Sequence, residues 1–295
     1  MKKPFIFTEA YDCGKIANVA IESFLKFHPE ETINVFGKNE DFEEIKKQEG
    51  VNFISLDHDQ RLKELYEHGH AGTSYIFASV ISKKFGDYDR IVHFDSDVLF
   101  RGECLSEIYK GFKDGFHLIG QRRNYEKNRP GLTLVGGRSV VGIPDTVGTC
   151  IFALDLSKVT VSDFELLRRL CVGGASLTGE PILDFFDPVS FHVMSNQGKV
   201  KYLSSIDYGA GDENGNWDNG HPELNLLCDF GEKFVHFAGI GSGLKFIKKG
   251  NGSVPDSYAE WAKKRYNIYA ALFLSEEIRE DNLVDYEKFK KELNL

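Results

Sequence analysis

The chain has 295 residues, enough for one large α/β domain with an appendage or for two small domains. Hydrophobic residues make up 41% of it, with 24 Phe in the chain, so it can bury a full core and does not have a disordered composition. A formal net charge of -9 excludes a general binder of nucleic acid or anionic lipid, which draws on Lys/Arg-rich surfaces, but admits an anionic small substrate held through a cation.

In chain order, residues 3–8 (KPFIFT) read as a first strand. Glu9 and Asp12 come too soon after it for the N-terminus to read as a secretion signal. Residues 14–27 read as a helix with Ile16, Val19, Ala20, Phe24 and Phe27 on one face. TINVF (32–36) reads as a second strand, DFEEIKKQ (41–48) as a short helix and VNFISL (51–56) as a third strand. Residues 73–84 place Ile76, Phe77, Val80 and Ile81 at helical spacing, and RIVHF (90–94) reads as a fourth strand. This alternation predicts an α/β fold with a largely parallel sheet and helices on its faces.

The second half is less regular. HLIGQ (117–121) and CIFAL (150–154) read as strands separated by a Gly-rich stretch at 130–148, and residues 208–223 (YGAGDENGNWDNGHPE) read as a loop. Both connections are candidate substrate-side loops. From about Asp256 the chain reads as helical, with Tyr258, Trp261, Ala262, Tyr266 and Tyr269 on an amphipathic face. The expected division is therefore a domain at 1–255 and a C-terminal helical extension at 256–295, whose aromatic face must pack on that domain or on a second copy in a homodimer. No run is long enough for a transmembrane segment, and the expected location is cytoplasmic. The five cysteines (13, 104, 150, 171, 228) are scattered without a CxxC pair, which speaks against a disulfide framework, and Cys150 and Cys171 read as core fillers.

The strongest chemical signal is IVHFDSDVLF, where an apolar strand runs into Asp95-Ser96-Asp97 and then into Val98, Leu99 and Phe100. Two carboxylates this close at a strand end repel unless something neutralises them. A divalent cation does so and can bridge the phosphates of a nucleotide diphosphate. A turn with two solvated aspartates is the plainer reading of a lone D-x-D; the apolar flanks on both sides favour the metal.

The segment HFDSDVLF resembles the D-x-D motif of GT-A glycosyltransferases, especially the glycogenin and lipopolysaccharide galactosyltransferase group. The resemblance implies a GT-A fold, a Rossmann-like mixed sheet with flanking helices. It also implies Mn2+ or Mg2+ held by Asp95 and Asp97, a nucleotide-sugar donor, most often a UDP-sugar, and a glycan or other hydroxyl acceptor. In KFVHFAGIGSGLKF (233–246), His236 and Gly239 stand where the group has H-x-x-G, making His236 similar to a third metal ligand, with a core histidine at a strand end before a loop as the other reading and the favoured one for the residues taken alone. The group's lysine, six residues after the histidine, is replaced by Ser242; Lys245 is the nearest lysine, and Gly239, Gly241 and Gly243 offer backbone N–H groups to a phosphate instead.

The resemblance places donor contacts at Thr8 and Tyr11, with core packing as the other reading of Tyr11, and at Thr73, with a helix N-cap at Thr73 or Ser74 as the other. In TGEPILDFF (178–186), Glu180 takes the place of a polar active-site residue, or is an acid at a helix start before Pro181. As a general base, Glu180 would suit an inverting enzyme, whereas the group leans to retention.

Two alternatives stand beside glycosyl transfer. A sugar nucleotidyltransferase shares the topology but opens with a Gly-rich basic loop, which FTEAYDCGK lacks. A catalytically inactive GT-A-like binding module is the other. A dehalogenase-like phosphatase fits poorly, because its D-x-D lies near the N-terminus.

Overall fold

The computed structural model describes residues 2–61, 71–123, 133–134, 138–139, 146–159, 187–208, 229–237, 240, 266, 269–270 and 272–274. The first half runs β1 (Phe5–Glu9), α1 (Gly14–Phe27), β2 (Ile33–Gly37), α2 (Asn39–Glu43), β3 (Val51–Ser55), α3 (Ala71–Ile81), β4 (Arg90–Phe94), β5 (Val98–Phe100) and α4 (Leu105–Lys113). Next come β6 (Leu118–Arg123), the short pair β7 (Thr133–Leu134) and β8 (Arg138–Ser139), β9 (Thr146–Asp155) and a 3-10 turn (Leu156–Lys158). The remaining elements are α5 (Asp187–Ser195), β10 (Val200–Leu203), α6 (Ser205–Tyr208), β11 (Asp229–Phe230) and β12 (Phe234–His236).

Seven strands form one sheet in the order β10-β6-β9-β4-β1-β2-β3. β1 pairs in parallel with β2 and β4, β2 with β3, and β10 with β6, while β9 is antiparallel to both β4 and β6. Only β9 is reversed in this sheet, which is thus Rossmann-like and mixed, as expected. β5 lies outside it, pairing with β12 in a three-stranded antiparallel sheet.

Side chains alternate across the large sheet with the period of two that strands impose. Ile6, Val35, Val92, Phe94, Ile119, Ile151 and Ala153 point to one face, where α1 and α4 cover them with Ala20, Phe24, Ile108 and Phe112. Phe7, Phe36, Ile91, Leu118, Phe152 and Leu154 point to the other, under Ile76, Phe77 and Val80 of α3 and Val189 and Val193 of α5. Both faces are covered, which explains why these strands read as nearly continuous apolar runs.

Helix α1 spans the predicted residues 14–27, whereas α2 begins two residues before the predicted 41 and ends at Glu43. Lys38 is the N-cap of α2 and its N–H donates to the Asp41 carboxylate (3.0 Å), an acid in the first turn that sets the start. The stretch at 130–148, expected to be irregular, contains β7, β8 and the first residues of β9. The loop expected at 208–223 lies outside the described residues except for Tyr208, which ends α6. Cys150 is buried as expected, and Cys171 lies outside the described residues.

Asp41 is buried, and burial raises its pKa to about 6 against the opposing effect of backbone hydrogen bonds. An acid whose folded pKa lies above its unfolded value gives stability that is full below the unfolded pKa of 3.8 and is lost as pH rises through about 6. Asp41→Asn is therefore expected to be more stable than wild type at pH 7 by about 1–3 kcal/mol. Denaturant titrations at pH 7 and pH 4 check this: the advantage should close at the lower pH, and an equal difference at both would refute the assignment.

Of the C-terminal stretch, residues 266, 269, 270, 272 and 273 are described as helical; most of 256–295 lies outside the described residues. Tyr269 and Leu272 are buried with Ile16 of α1, Leu99 of β5, and Val235 and Phe237 of the β12 strand and its end. No helix among the described residues is long and apolar enough to cross a membrane.

Candidate metal centre

In a parallel sheet all strands end on one edge, and ligands bind where the chain order reverses direction across the sheet. Here β1, β2 and β3 build outwards one way and β4 returns to the other side of β1, so the reversal lies between β1 and β4. The Asp95-Ser96-Asp97 segment emerges from β4 at that point.

The segment is held at both ends. The Asp95 N–H donates to the Cys150 carbonyl of β9 (3.0 Å), and the Asp97 carbonyl accepts from the Phe237 N–H (2.8 Å). Ser96 lies between these anchors, with its hydroxyl 3.5 Å from the Cys13 thiol ahead of α1. Beneath Asp95, His93 is buried among the rings of Phe7, Phe77 and Phe152, with Nδ1 3.9 Å from Asp95 Oδ1.

β5 carries the chain from Asp97 into its pairing with β12, in which Val98 lies opposite His236. This register brings the imidazole to the acids. His236 Nε2 stands 3.6 Å from Asp95 Oδ2 and 3.4 Å from Asp97 Oδ1. One ligand atom from each residue lies within 4.8 Å of the other two, and Asp97 is only 6% exposed.

An octahedral ion with bonds of about 2.1 Å places neighbouring ligand atoms about 3 Å apart. The two separations from His236, 3.6 and 3.4 Å, therefore need to contract by only about half an ångström. Two carboxylates and an imidazole suit a divalent cation in charge, the imidazole favouring a transition ion over Mg2+, and the three side chains leave positions for further oxygen ligands. The donor set fits a divalent cation.

The other predicted residues occupy varied positions. Thr73 lies in the first turn of α3, and its hydroxyl donates to Glu9 Oε2 (3.0 Å) at the end of β1. The helix already includes Ala71, so neither Thr73 nor Ser74 is the N-cap. Thr8 is fully buried in β1 and offers no side-chain surface to a ligand. Tyr11 is 7% exposed and packs with the core on the α3 face, with the Lys38 ammonium 4.7 Å from its ring centroid. The core reading of Tyr11 describes this arrangement. Glu180, Gly239 and Lys245 lie outside the described residues.

The sequence pattern does not single out Asp12 and Lys38, which share the ligand edge at the ends of β1 and β2. Lys38 pairs with Asp12 and with Glu40 (2.8 Å). Burial opposes its charge, but the hydrogen bonds to Asp12 and Glu40 outweigh that and hold its pKa up. Asp12 adopts a left-handed backbone (φ 61°), a conformation that aspartate tolerates better than most residues. The available signal is positional: the residues after two parallel strands must share an edge.

A second close pair has no such chemistry. The Cys104 thiol lies 3.3 Å from His28 Nε2, but burial pushes the thiol well above its ordinary value and lowers the His28 pKa. A thiol kept protonated is not a nucleophile, and the pair instead ties the start of α4 to the end of α1.

No family model matches the sequence, and none of the curated proteins matches it. Among solved structures, the chain is similar to the galactosyltransferase LgtC in complex with donor and acceptor sugar analogs, at 13% identity and a TM-score of 0.45, covering 70% of this chain and 75% of that one. Mouse xyloside xylosyltransferase 1 in its apo form aligns at 15% identity and a TM-score of 0.44, over 78% of this chain and 96% of that one. The glycosyltransferase GlyE of Streptococcus pneumoniae TIGR4 aligns at 13% identity and a TM-score of 0.41, over 70% of this chain and 46% of that one.

Proposed function

We propose that this chain is a divalent-metal-dependent glycosyltransferase that moves a sugar from a nucleotide-sugar, read as a UDP-sugar, to a hydroxyl of a glycan or other acceptor. The observation that carries the reading is the meeting of Asp95, Asp97 and His236 at the sheet's reversal point. A bound Mn2+ or Mg2+ supplies Lewis-acid stabilisation to the charge that develops on a departing nucleoside diphosphate. Asp95 and Asp97 hold that charge partner against the core, and His236 completes the protein's share of the ligands without adding negative charge beside the diphosphate.

The remaining assignments rest on the resemblance. Thr73, at the same edge, is the proposed donor contact; Gly239 and Lys245 are the proposed phosphate contacts and Glu180 the proposed acceptor-side acid or base. Residues 1–255 form the proposed catalytic domain and 256–295 the proposed helical extension. A homodimer through that extension and a cytoplasmic location belong to the same proposal. Nucleotidyl transfer is disfavoured by the residues just after β1, where Tyr11, Asp12 and Cys13 stand in place of a basic Gly-rich loop.

The test is incubation with a panel of nucleotide-sugars and Mn2+, monitoring the released nucleotide. Nucleoside diphosphate released only with metal present is the expected result. Pyrophosphate would instead identify a nucleotidyltransferase, and no release across the panel would leave a binding module.

A further inference from the structure

The residues on either side of His236 face away from the acids and into a separate apolar cluster. Along β12 the side chains alternate, so that Phe234 joins the core of the large sheet while Val235 and Phe237 join Cys13, Ile16, Leu99 and Ile240. The C-terminal stretch closes this cluster, with Tyr269 and Leu272 buried against it.

Tyr269 is at the centre of the closure. It is 0% exposed, with its ring centroid 5.2 Å from that of Phe237 and 4.7 Å from that of Phe273, while Phe273 lies 5.7 Å from Phe237. Its hydroxyl donates to the Ile16 carbonyl of α1 (3.2 Å). One side chain thus ties α1 to the residue next to His236 in the chain. That same residue, Phe237, donates its N–H to the Asp97 carbonyl. Burial raises the phenol's pKa well above its ordinary value, so the hydroxyl stays a donor.

We propose that Tyr269 is a positioning residue of the metal centre, holding Phe237 and α1 together so that His236 stays at ligand distance from Asp95 and Asp97. The inference rests on the reading of that trio as a metal centre. β12 spans only three residues and pairs with two short strands, so its own ladder gives His236 little rigidity. The rings of Phe237, Tyr269 and Phe273 supply that support from behind. The C-terminal stretch is then part of the site's construction without touching the ion.

The experiment measures Mn2+ affinity of the full chain by the electron paramagnetic resonance signal of free Mn2+, alongside the thermal midpoint in chelator. Tyr269→Ala is compared with Ile81→Ala, which removes a buried side chain from the opposite face of the large sheet. Tyr269→Ala should bind Mn2+ about ten-fold or more weakly, the range seen when support behind a ligand is lost, while Ile81→Ala binds as wild type despite its lower midpoint. Tyr269→Phe keeps the ring and loses only the Ile16 bond; it should fold and lie between wild type and the alanine variant, so it carries the test if Tyr269→Ala does not fold. Affinity within two-fold of wild type in whichever Tyr269 variants fold overturns the inference. So does an equal loss in Ile81→Ala, which would make Tyr269 a general stabiliser. Wild type that binds no Mn2+ overturns the metal reading itself.

Discussion

Asp97→Ala is expected to abolish measurable Mn2+ binding and to lower turnover by about 10²-fold or more, the scale on which one strong electrostatic contributor to a transition state is lost. Asp97 is the most buried of the three candidate ligands, and its main chain is already pinned by the Phe237 N–H, so the residue is anchored at the site before any ion arrives. In chelator the thermal midpoint should change little or rise, because the variant relieves the repulsion between two neighbouring carboxylates. His236→Ala should weaken Mn2+ binding less, since it removes a neutral donor and leaves both negative charges. Full activity of Asp97→Ala, or of wild type in excess chelator, would defeat the metal model.

Phe24→Ala is expected to cost about 3–5 kcal/mol, the range for deleting a buried aromatic ring. Phe24 stands on α1 with its ring 5.1 Å from Phe94 and 5.1 Å from Phe100, and 4.6 Å from the ring of His28. Phe94 is the last residue of β4 and Phe100 the last of β5, so this ring packs against both strands that carry the Asp95-Ser96-Asp97 segment. Against a total stability of about 5–15 kcal/mol, such a loss leaves the protein marginal. Urea unfolding at neutral pH measures it, with Phe24→Leu expected to recover more than half of the loss. A cost of under about 1 kcal/mol for the alanine variant would show that the aromatic cluster repacks.

Much of the first half is legible in the sequence because its signals are local. The α1 periodicity, the apolar runs of β1, β2 and β4, and the turn residues between them describe units whose conformation depends mainly on near neighbours. The Asp95 and Asp97 pair is legible for a related reason. An apolar run ending in two acids constrains its own geometry, with the run anchored in a sheet and the acids left at its edge. The α2 start departs from the sequence expectation because the capping role of Lys38 and Asp41 competes with the apolar pattern, which begins later.

The features that the tertiary structure alone decided are non-local. That β9 inserts between β4 and β6 in the reversed direction depends on pairings between distant segments, and residues 146–155 look the same in sequence whichever way they run. The role of Val98–Phe100 is similar: as a sequence it is an apolar flank, and only its antiparallel register with Phe234–His236 turns the flank into the strand that delivers the imidazole. Tyr11 reads in sequence equally as a donor contact or as a core aromatic, and its burial comes from distant neighbours; Tyr269 looks like one residue of an amphipathic face until Phe237 and Ile16 supply the surface it covers. Sequence by itself determined the local elements and the acidic motif, since period and residue type act over a few positions. His236 was picked out in the sequence only through the H-x-x-G resemblance; its meeting with the two acids, the register that brings it there and its support from the C-terminal stretch were decided by contacts across more than a hundred residues.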